Sequence, residues 1–342
     1  SKTINGEKIL DNVSFTVKPN EKIAVIADNE NAKTVLFQII AGELEPDEGK
    51  IIWVIDAYTT SSNYPYSQYT YIEHDNTKEK INYIRNSVKV LIDAYDGTIN
   101  FYITDRNDPI ASAYEKIYPD LFTTEEISTD ISGQFVYPKF LYDIQTLKME
   151  RYHNIQSDVL YRGNDVWDVA THNTSRVSTK TGTDIEAYYT MVKTTDSDTS
   201  KLGLVIPFTP YGKQNITSYM VGTYENGKPK LTVYKFSSDS NILGPMQLDT
   251  QIEQDEKISK EIDALNVNGT KISKNMIIVP LNNTLLYVEP IYQQYINETD
   301  STPTLKKVVV ASGNKLAIGD NLTDALENLV SRYAVDINIE NT

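Results

Sequence analysis

The apolar residues of this chain come in short runs. The densest stretches, residues 276–280 and 307–311, are strand-sized, and no run of eighteen or more apolar residues occurs. A membrane-spanning helix is therefore not expected within it. With 342 residues there is room for two ordinary domains around sizeable cores.

Strand-like runs fall at 8–10 and 13–17 around an Asp11-Asn12 turn, and at 22–26 after Pro19-Asn20. Others lie at 51–57, 87–95, 98–104, 187–192, 202–208, 230–236, 276–280, 285–289 and 305–311. Asp96-Gly97 is the strongest hairpin signal and predicts a two-residue type I′ turn. Helical patterns occupy 33–41, 109–117, 138–153, 251–265 and 321–332. In the first of these, Leu36, Phe37, Ile39 and Ile40 span an angle wide enough to predict burial; the last is entered at Asn321. Residues 58–71 read as an aromatic loop, and 171–200, rich in Thr, Ser and Asp, as a loop around one short strand. The expected fold class is α+β: a mixed, largely antiparallel sheet with flanking helices, preceded by a truncated strand–P-loop–helix unit.

Charge and cysteine content remove several function classes. A net charge of −15 with no basic stripe argues against a nucleic-acid surface and against anionic lipid. The absence of cysteine excludes disulfides, thiolate catalysis and thiolate metal ligands. Ser1 is followed by no basic stretch and apolar core, so no signal peptide is expected and the start reads as cut. Tyrosine outnumbers phenylalanine by 24 to 8. That ratio suits a large sheet with partly wet faces, and also carbohydrate-like or peptide-binding surfaces.

A strand, a polar loop and a helix opening on Lys33-Thr34 have the layout of a P-loop. Such a loop uses glycines so that backbone N–H groups can approach phosphate. Here Ala27 and Ala32 stand at both glycine positions, and Asp28 and Glu30 add carboxylates that repel phosphate. The surrounding words are Lys8-Ile9-Leu10-Asp11-Asn12-Val13-Ser14-Phe15, Glu21-Lys22-Ile23-Ala24-Val25 and Ala41-Gly42-Glu43-Leu44-Glu45-Pro46-Asp47-Glu48-Gly49. Over residues 1–53 the chain thereby resembles the start of an ABC ATPase of the ABC-F branch. The resemblance implies ATP and magnesium held by Asn29, Ala32, Lys33 and Thr34, and a cytoplasmic setting. No Walker B pair, signature sequence or Q-loop follows, and hydrolysis needs all three. The preferred reading is a packing unit without nucleotide or cofactor.

From Trp53 a second resemblance begins. It is carried by Trp53-Val54-Ile55-Asp56-Ala57-Tyr58-Thr59-Thr60, Tyr64-Pro65-Tyr66-Ser67, Asn82-Tyr83-Ile84-Arg85-Asn86-Ser87 and Asp93-Ala94-Tyr95-Asp96-Gly97. Gly244-Pro245-Met246-Gln247, Leu286-Tyr287-Val288-Glu289-Pro290 and Ala311-Ser312-Gly313-Asn314 follow in order. Over about residues 50–333 these are similar to the uncharacterised protein family numbered 0182 of the UPF series. The resemblance implies an extracytoplasmic domain that follows a block of membrane helices and has no established activity. The expected domains are 1–53, 54–335 and a tail at 336–342. A join near Trp53 would continue one family's strand into the other's.

Three sites compete with plain structural readings. Asp105, Asn107 and Asp108 place hard oxygen ligands together for calcium, or else form a turn. Tyr58, Tyr64 and Tyr66, with Tyr69 and Tyr71 nearby, form a ligand platform, or else pack across the first strand. Asp56, Asp93 and Glu289 could supply paired carboxylates for an envelope hydrolase, or else be solvated or salt-bridged. His74, His153 and His172 have no partner at a telling spacing. The leading expectation is a non-enzymatic module that binds cell-envelope or membrane partners. The alternatives are an ATP-binding protein and an envelope hydrolase.

Overall fold

The computed structural model describes residues 1–17, 25, 29–74, 77–174, 182–193, 199–225, 227–237, 242–281, 284–296 and 301–340. The chain divides into two compact units, Ser1–Leu141 with Asn226–Lys228, and Tyr142–Glu225 with Pro229–Thr342. This division does not coincide with the expected join at Trp53. The strand ladders are antiparallel in both units.

The first unit opens with a hairpin, β1 (Lys2–Ile4) and β2 (Glu7–Leu10). Asn5 and Gly6 between them both have positive φ, 51° and 83°, the signature of a type I′ turn. That hairpin was not expected, although Asn-Gly is among the strongest signals for one. No strand forms at 13–17, and the expected strand at 22–26 lies almost wholly outside the described residues. Helix α1 (Glu30–Ile40) starts three residues before the expected Lys33, because the Asn29 side chain accepts the Asn31 N–H and caps it there. Its buried face is also narrower than expected. Val35 and Ile39, one turn apart, pack against Leu10, while Phe37 and Ile40 are exposed.

Strands β3 (Ile52–Ser61), β6 (Tyr83–Asp93) and β7 (Ile99–Ile103) form a three-stranded sheet with β6 in the middle. The β6–β7 turn is not of the two-residue type I′ form. Asp96 does not enter the left-handed region, Gly97 does at φ 72°, and the turn spans residues 94–97. Between β3 and β6 stands a second hairpin, β4 (Thr70–His74) and β5 (Thr77–Ile81), and the expected aromatic loop at 58–71 begins inside β3 and ends inside β4. Helices α2 (Pro109–Ile117), α3 (Thr129–Ser132) and α4 (Lys139–Tyr152) follow, and the division between the units falls inside α4.

The second unit continues with α5 (Ser157–Arg162), β8 (Trp167–Val169), β9 (Thr171–His172), β10 (Thr183–Asp184) and β11 (Tyr188–Val192). Strands β12 (Lys201–Pro210), β13 (Ser218–Glu225) and β14 (Lys228–Lys235) complete a sheet ordered β11-β12-β13-β14, with β8 on β12. The expected single helix at 251–265 is two, α6 (Pro245–Gln254) and α7 (Glu256–Asp263). Asp255 breaks it: its backbone is extended and its carboxylate accepts the N–H groups of Lys257 and Ile258.

A second sheet, β15 (Thr270–Lys274), β16 (Ile277–Leu281), β17 (Thr284–Tyr295), β18 (Thr304–Ser312) and β19 (Lys315–Gly319), precedes α8 (Leu322–Glu340). Asn321 and Asp324 exchange capping hydrogen bonds at the start of α8. One face of β17 sends Leu285, Tyr287 and Ile291 into the main core with α6 and α7; the other sends Leu286 and Val288 toward a core that includes Ala325 and Leu329 of α8. Burial on both faces explains the unbroken apolar run in β18. Pro290 sits inside the twelve-residue β17 without breaking it. Thr284–Val288 pair with β16 and Ile291–Tyr295 with β15, so the residue lacking an N–H falls in the gap between them.

Candidate functional site

The first unit concentrates exposed tyrosines on one hairpin and the loop that leads to it. Antiparallel pairing places Tyr71 opposite Lys80 and Glu73 opposite Lys78. Tyr69, Tyr71, Lys78 and Lys80 therefore share one face, and Ile72 and Ile81 lie buried on the other. The Lys80 ammonium lies 4.0 Å from the centre of the Tyr69 ring, and Lys78 lies 5.2 Å from that of Tyr71. Each cation holds its ring without covering the whole of it: both tyrosines remain exposed.

The loop before β4 is ordered by side chains. Asn82 clamps Tyr64 twice, accepting its N–H at 3.0 Å and donating to its carbonyl at 2.7 Å. The Tyr64 ring stacks on Tyr83 with centroids 5.6 Å apart. Pro65 then leads into Tyr66, a non-glycine residue at φ 61° whose side chain is fully exposed. A bulky residue in that backbone region carries strain of about 1–3 kcal/mol.

Asp108 underlies this arrangement. It is fully buried and caps α2 by accepting the Ile110 N–H at 3.0 Å. Its carboxylate also accepts the hydroxyls of Thr59 and Ser87, each at 2.5 Å, and of Tyr83 at 2.8 Å. Burial alone would raise the Asp108 carboxyl, but the hydroxyls of Ser87, Thr59 and Tyr83 and the Ile110 N–H outweigh it and hold it below its ordinary value. Burial, then Asp108, push the Tyr83 phenol up to about 12. One carboxylate thus ties β3, β6 and α2 together and fixes the ring on which Tyr64 rests.

The residues singled out for calcium are arranged as a capped turn. Asp105 accepts the Asn107 N–H at 3.1 Å and the Arg85 guanidinium at 3.0 Å. Among the described residues no group of three or more His, Asp and Glu side chains is placed to hold a metal ion. Tyr58 is not part of the platform: it lies in β3 and its ring meets Phe140 at 5.2 Å. Tyr64 and Tyr66 do lie together, beside Tyr69 and Tyr71. Lys33 and Thr34 are the fourth and fifth residues of α1, so Ala32 and Lys33 stand within the helix and not in a loop before it.

Asp56, Asp93 and Glu289 each stand beside a lysine. Asp56 holds Lys89, Asp93 holds Lys50 at 2.8 Å, and Glu289 lies 2.9 Å from Lys274. His153 stacks flat on Trp167 at 3.4 Å and reaches Asp165 at 3.3 Å. His172 is buried; His74 has a side chain outside the described residues. Sequence reasoning missed Asn82, Tyr83 and Asp108 as supports of the platform. The available signal was Asp108-Pro109, an N-cap followed by proline at the first helical position.

The family model described as "Uncharacterised protein family (UPF0182)" matches residues 26–265. A UPF0182 protein of Caldicellulosiruptor saccharolyticus is 36% identical over 335 residues, 97% of this chain and 35% of that protein. One from Clostridium acetobutylicum is 36% identical over 93% of the chain and 34% of its own length. One from Microcystis aeruginosa is 36% identical over 86% and 30%. The first of these alignments leaves out far fewer residues than the fifty-three assigned to an ABC-F start, so nothing in the comparisons supports a second family there. The chain spans about a third of the length of the curated relatives it matches. No solved structure matches it.

Proposed function

The chain belongs to the uncharacterised protein family UPF0182, and from that premise we propose that it is a binding module without a catalytic centre of its own, which recognises a carbohydrate polymer of the cell envelope. The observation that carries this reading is the preorganised tyrosine surface. Tyr64, Tyr66, Tyr69 and Tyr71 are all exposed within eight residues of sequence, and side-chain clamps fix Tyr64 and the Tyr83 ring on which it rests. Rigid aromatic rings offer contact area at low cost in conformational entropy, and sugar rings present apolar faces that stack on them. The lysine partners of Asp56 and Asp93 favour the non-catalytic half of the reading, because a carboxylate held by an ammonium is less free to act on a glycosidic bond, and Glu289 is buried away from solvent.

Co-sedimentation with purified peptidoglycan sacculi tests it. Wild-type protein is retained, and Tyr64→Ala or Tyr66→Ala weakens retention about tenfold or more. Equal retention of both variants removes the proposal.

An extracytoplasmic position follows from the same reading. It is supported by the family resemblance, which implies a block of membrane helices ahead of this domain. The cysteine-free chain allows a direct check. Tyr66→Cys, placed in the full-length protein in intact cells, reacts with a membrane-impermeant maleimide; reaction only after lysis places the surface inside.

A further inference from the structure

The main core of the second unit contains a charged cluster that the tyrosine surface does not use. Lys274, at the end of β15, sends its ammonium to Asp249 of α6 at 2.5 Å and to Glu289 of β17 at 2.9 Å. Asp249 and Glu289 are each 1% exposed and Lys274 is 8% exposed. The alternation of β17 forces this placement. Glu289 stands in the row Leu285, Tyr287, Glu289, Ile291, which faces the core, and it is the only charged member of that row.

The two carboxylates are not equally served. Asp249 accepts the Asn173 N–H at 2.8 Å as well as the Lys274 ammonium. Neither oxygen of Glu289 meets a well-directed donor among the described residues, although Lys274 is close. From β9, His172 faces the same charges and its Nδ1 also lacks a partner there. Burial holds the imidazole below its ordinary value; Asp249 opposes this and Lys274 adds to it, so His172 contributes no positive charge at neutral pH. From β18, Glu289 is paired with Val309, and on its own strand the Tyr287 phenol is engaged by the Leu243 carbonyl. One ammonium therefore faces two carboxyls in an apolar core. Two ionised carboxylates would leave a net buried negative charge, which costs several kcal/mol.

We propose that Glu289 is protonated beside the Asp249–Lys274 ion pair, and that loss of its proton loosens α6 from the β15–β17 sheet. The device is a pH-sensitive latch on α6, because Asp249 gives α6 a polar link to both Lys274 of the sheet and the Asn173 backbone, beside the apolar packing of Leu248 and Ile252. Several forces set the range over which it opens. Burial raises the Glu289 carboxyl, Lys274 opposes this and Asp249 adds to it, leaving it at about 8. Burial would lower the Lys274 ammonium, but Glu289 and Asp249 outweigh it, so the lysine keeps its charge throughout.

The sign follows. A folded-state value above the ordinary 4.5 means that the stabilisation is complete below 4.5 and is lost as pH rises through about 8. Within that window the folded-to-unfolded ratio falls by up to about tenfold per pH unit, the linkage of one proton.

Two measurements on the whole chain test this. In wild-type protein labelled with carboxyl-13C glutamate, one resonance titrates in the alkaline range and vanishes in Glu289→Gln. Should every glutamate titrate in the acid range, the proposal falls, and this arm needs no variant to fold. At about pH 9, amides of Pro245–Gln254 exchange faster in the wild type than in Glu289→Gln, and the melting temperature of the variant no longer falls with rising pH. Equal exchange and parallel melting profiles would sink the latch.

Discussion

Asp108 and Glu289 are both carboxyls with almost no exposure to solvent, and they have opposite fates. Asp108 meets four donors, none of them charged, and stays ionised below its ordinary value. Glu289 has a full ammonium 2.9 Å away and is still driven up to about 8. The difference shows that burial by itself does not decide the charge of a side chain. What decides it is how many donors converge on the oxygens, and how many other carboxyls share them. Asp108 sits at a helix start, where the backbone supplies a donor and neighbouring strands supply hydroxyls. Glu289 sits on the apolar face of a central strand, where backbone donors are committed to the ladder and one lysine serves two acids.

The strongest way to break this comparison is to remove the better-served acid. Asp108→Ala takes away a helix cap and leaves the hydroxyls of Thr59, Tyr83 and Ser87 without their acceptor. We expect a loss of about 2–4 kcal/mol in urea unfolding. A loss below about 1 kcal/mol would mean that the hydroxyls find other partners and that Asp108 is not the hub described. Asp108→Asn sharpens the point through pH. A depressed folded-state value means that the stabilisation is present above the ordinary 3.8 and is lost as pH falls through the folded value. The acid limb of the stability profile should therefore flatten in Asp108→Asn, whereas in Glu289→Gln it is the fall in stability between about pH 4.5 and about pH 8 that disappears. If the two variants change the same limb, the contrast between these carboxyls is wrong.

The same contrast explains what could be read from the sequence. Helix α2 was legible to the residue, because Pro109 suits the first position of the helical pattern that follows it, and the dense apolar run within 305–311 gave β18. The length of β17 was not legible. Pro290 reads as a terminator, and only the position of the gap between β15 and β16 shows why the strand continues. The break at Asp255 was hidden for a related reason: Leu248 and Ile252 before it and Ile258 and Ile262 after it all serve one core, and only the six-residue step between Ile252 and Ile258 departs from helical spacing. Of the candidate surface, the tyrosines were visible as a cluster, but their supports were not. Asn82 and Tyr83 meet Tyr64, and Asp108 meets Tyr83, across distances in sequence that no local spacing encodes. Lys274, Asp249 and Glu289 were likewise separate acids and bases among many until three elements brought them together.

The smallest expected effect separates strain from support. Tyr66 holds a left-handed backbone at φ 61° with a side chain that contributes little burial, so its ring is retained at a cost in stability. Tyr66→Gly relieves that backbone, and Pro65 before it continues to restrict the loop. Glycine also gains freedom in the unfolded chain, which offsets part of the relief. The net stabilisation should be up to about 1 kcal/mol by urea unfolding, with retention on sacculi lost. A variant that is destabilised by more than about 1 kcal/mol would place the ring among the structural supports, with Tyr83 and Asp108, and take it out of the recognition surface. Unchanged retention in a stabilised variant would show instead that the strain at this position serves something other than the sugar polymer.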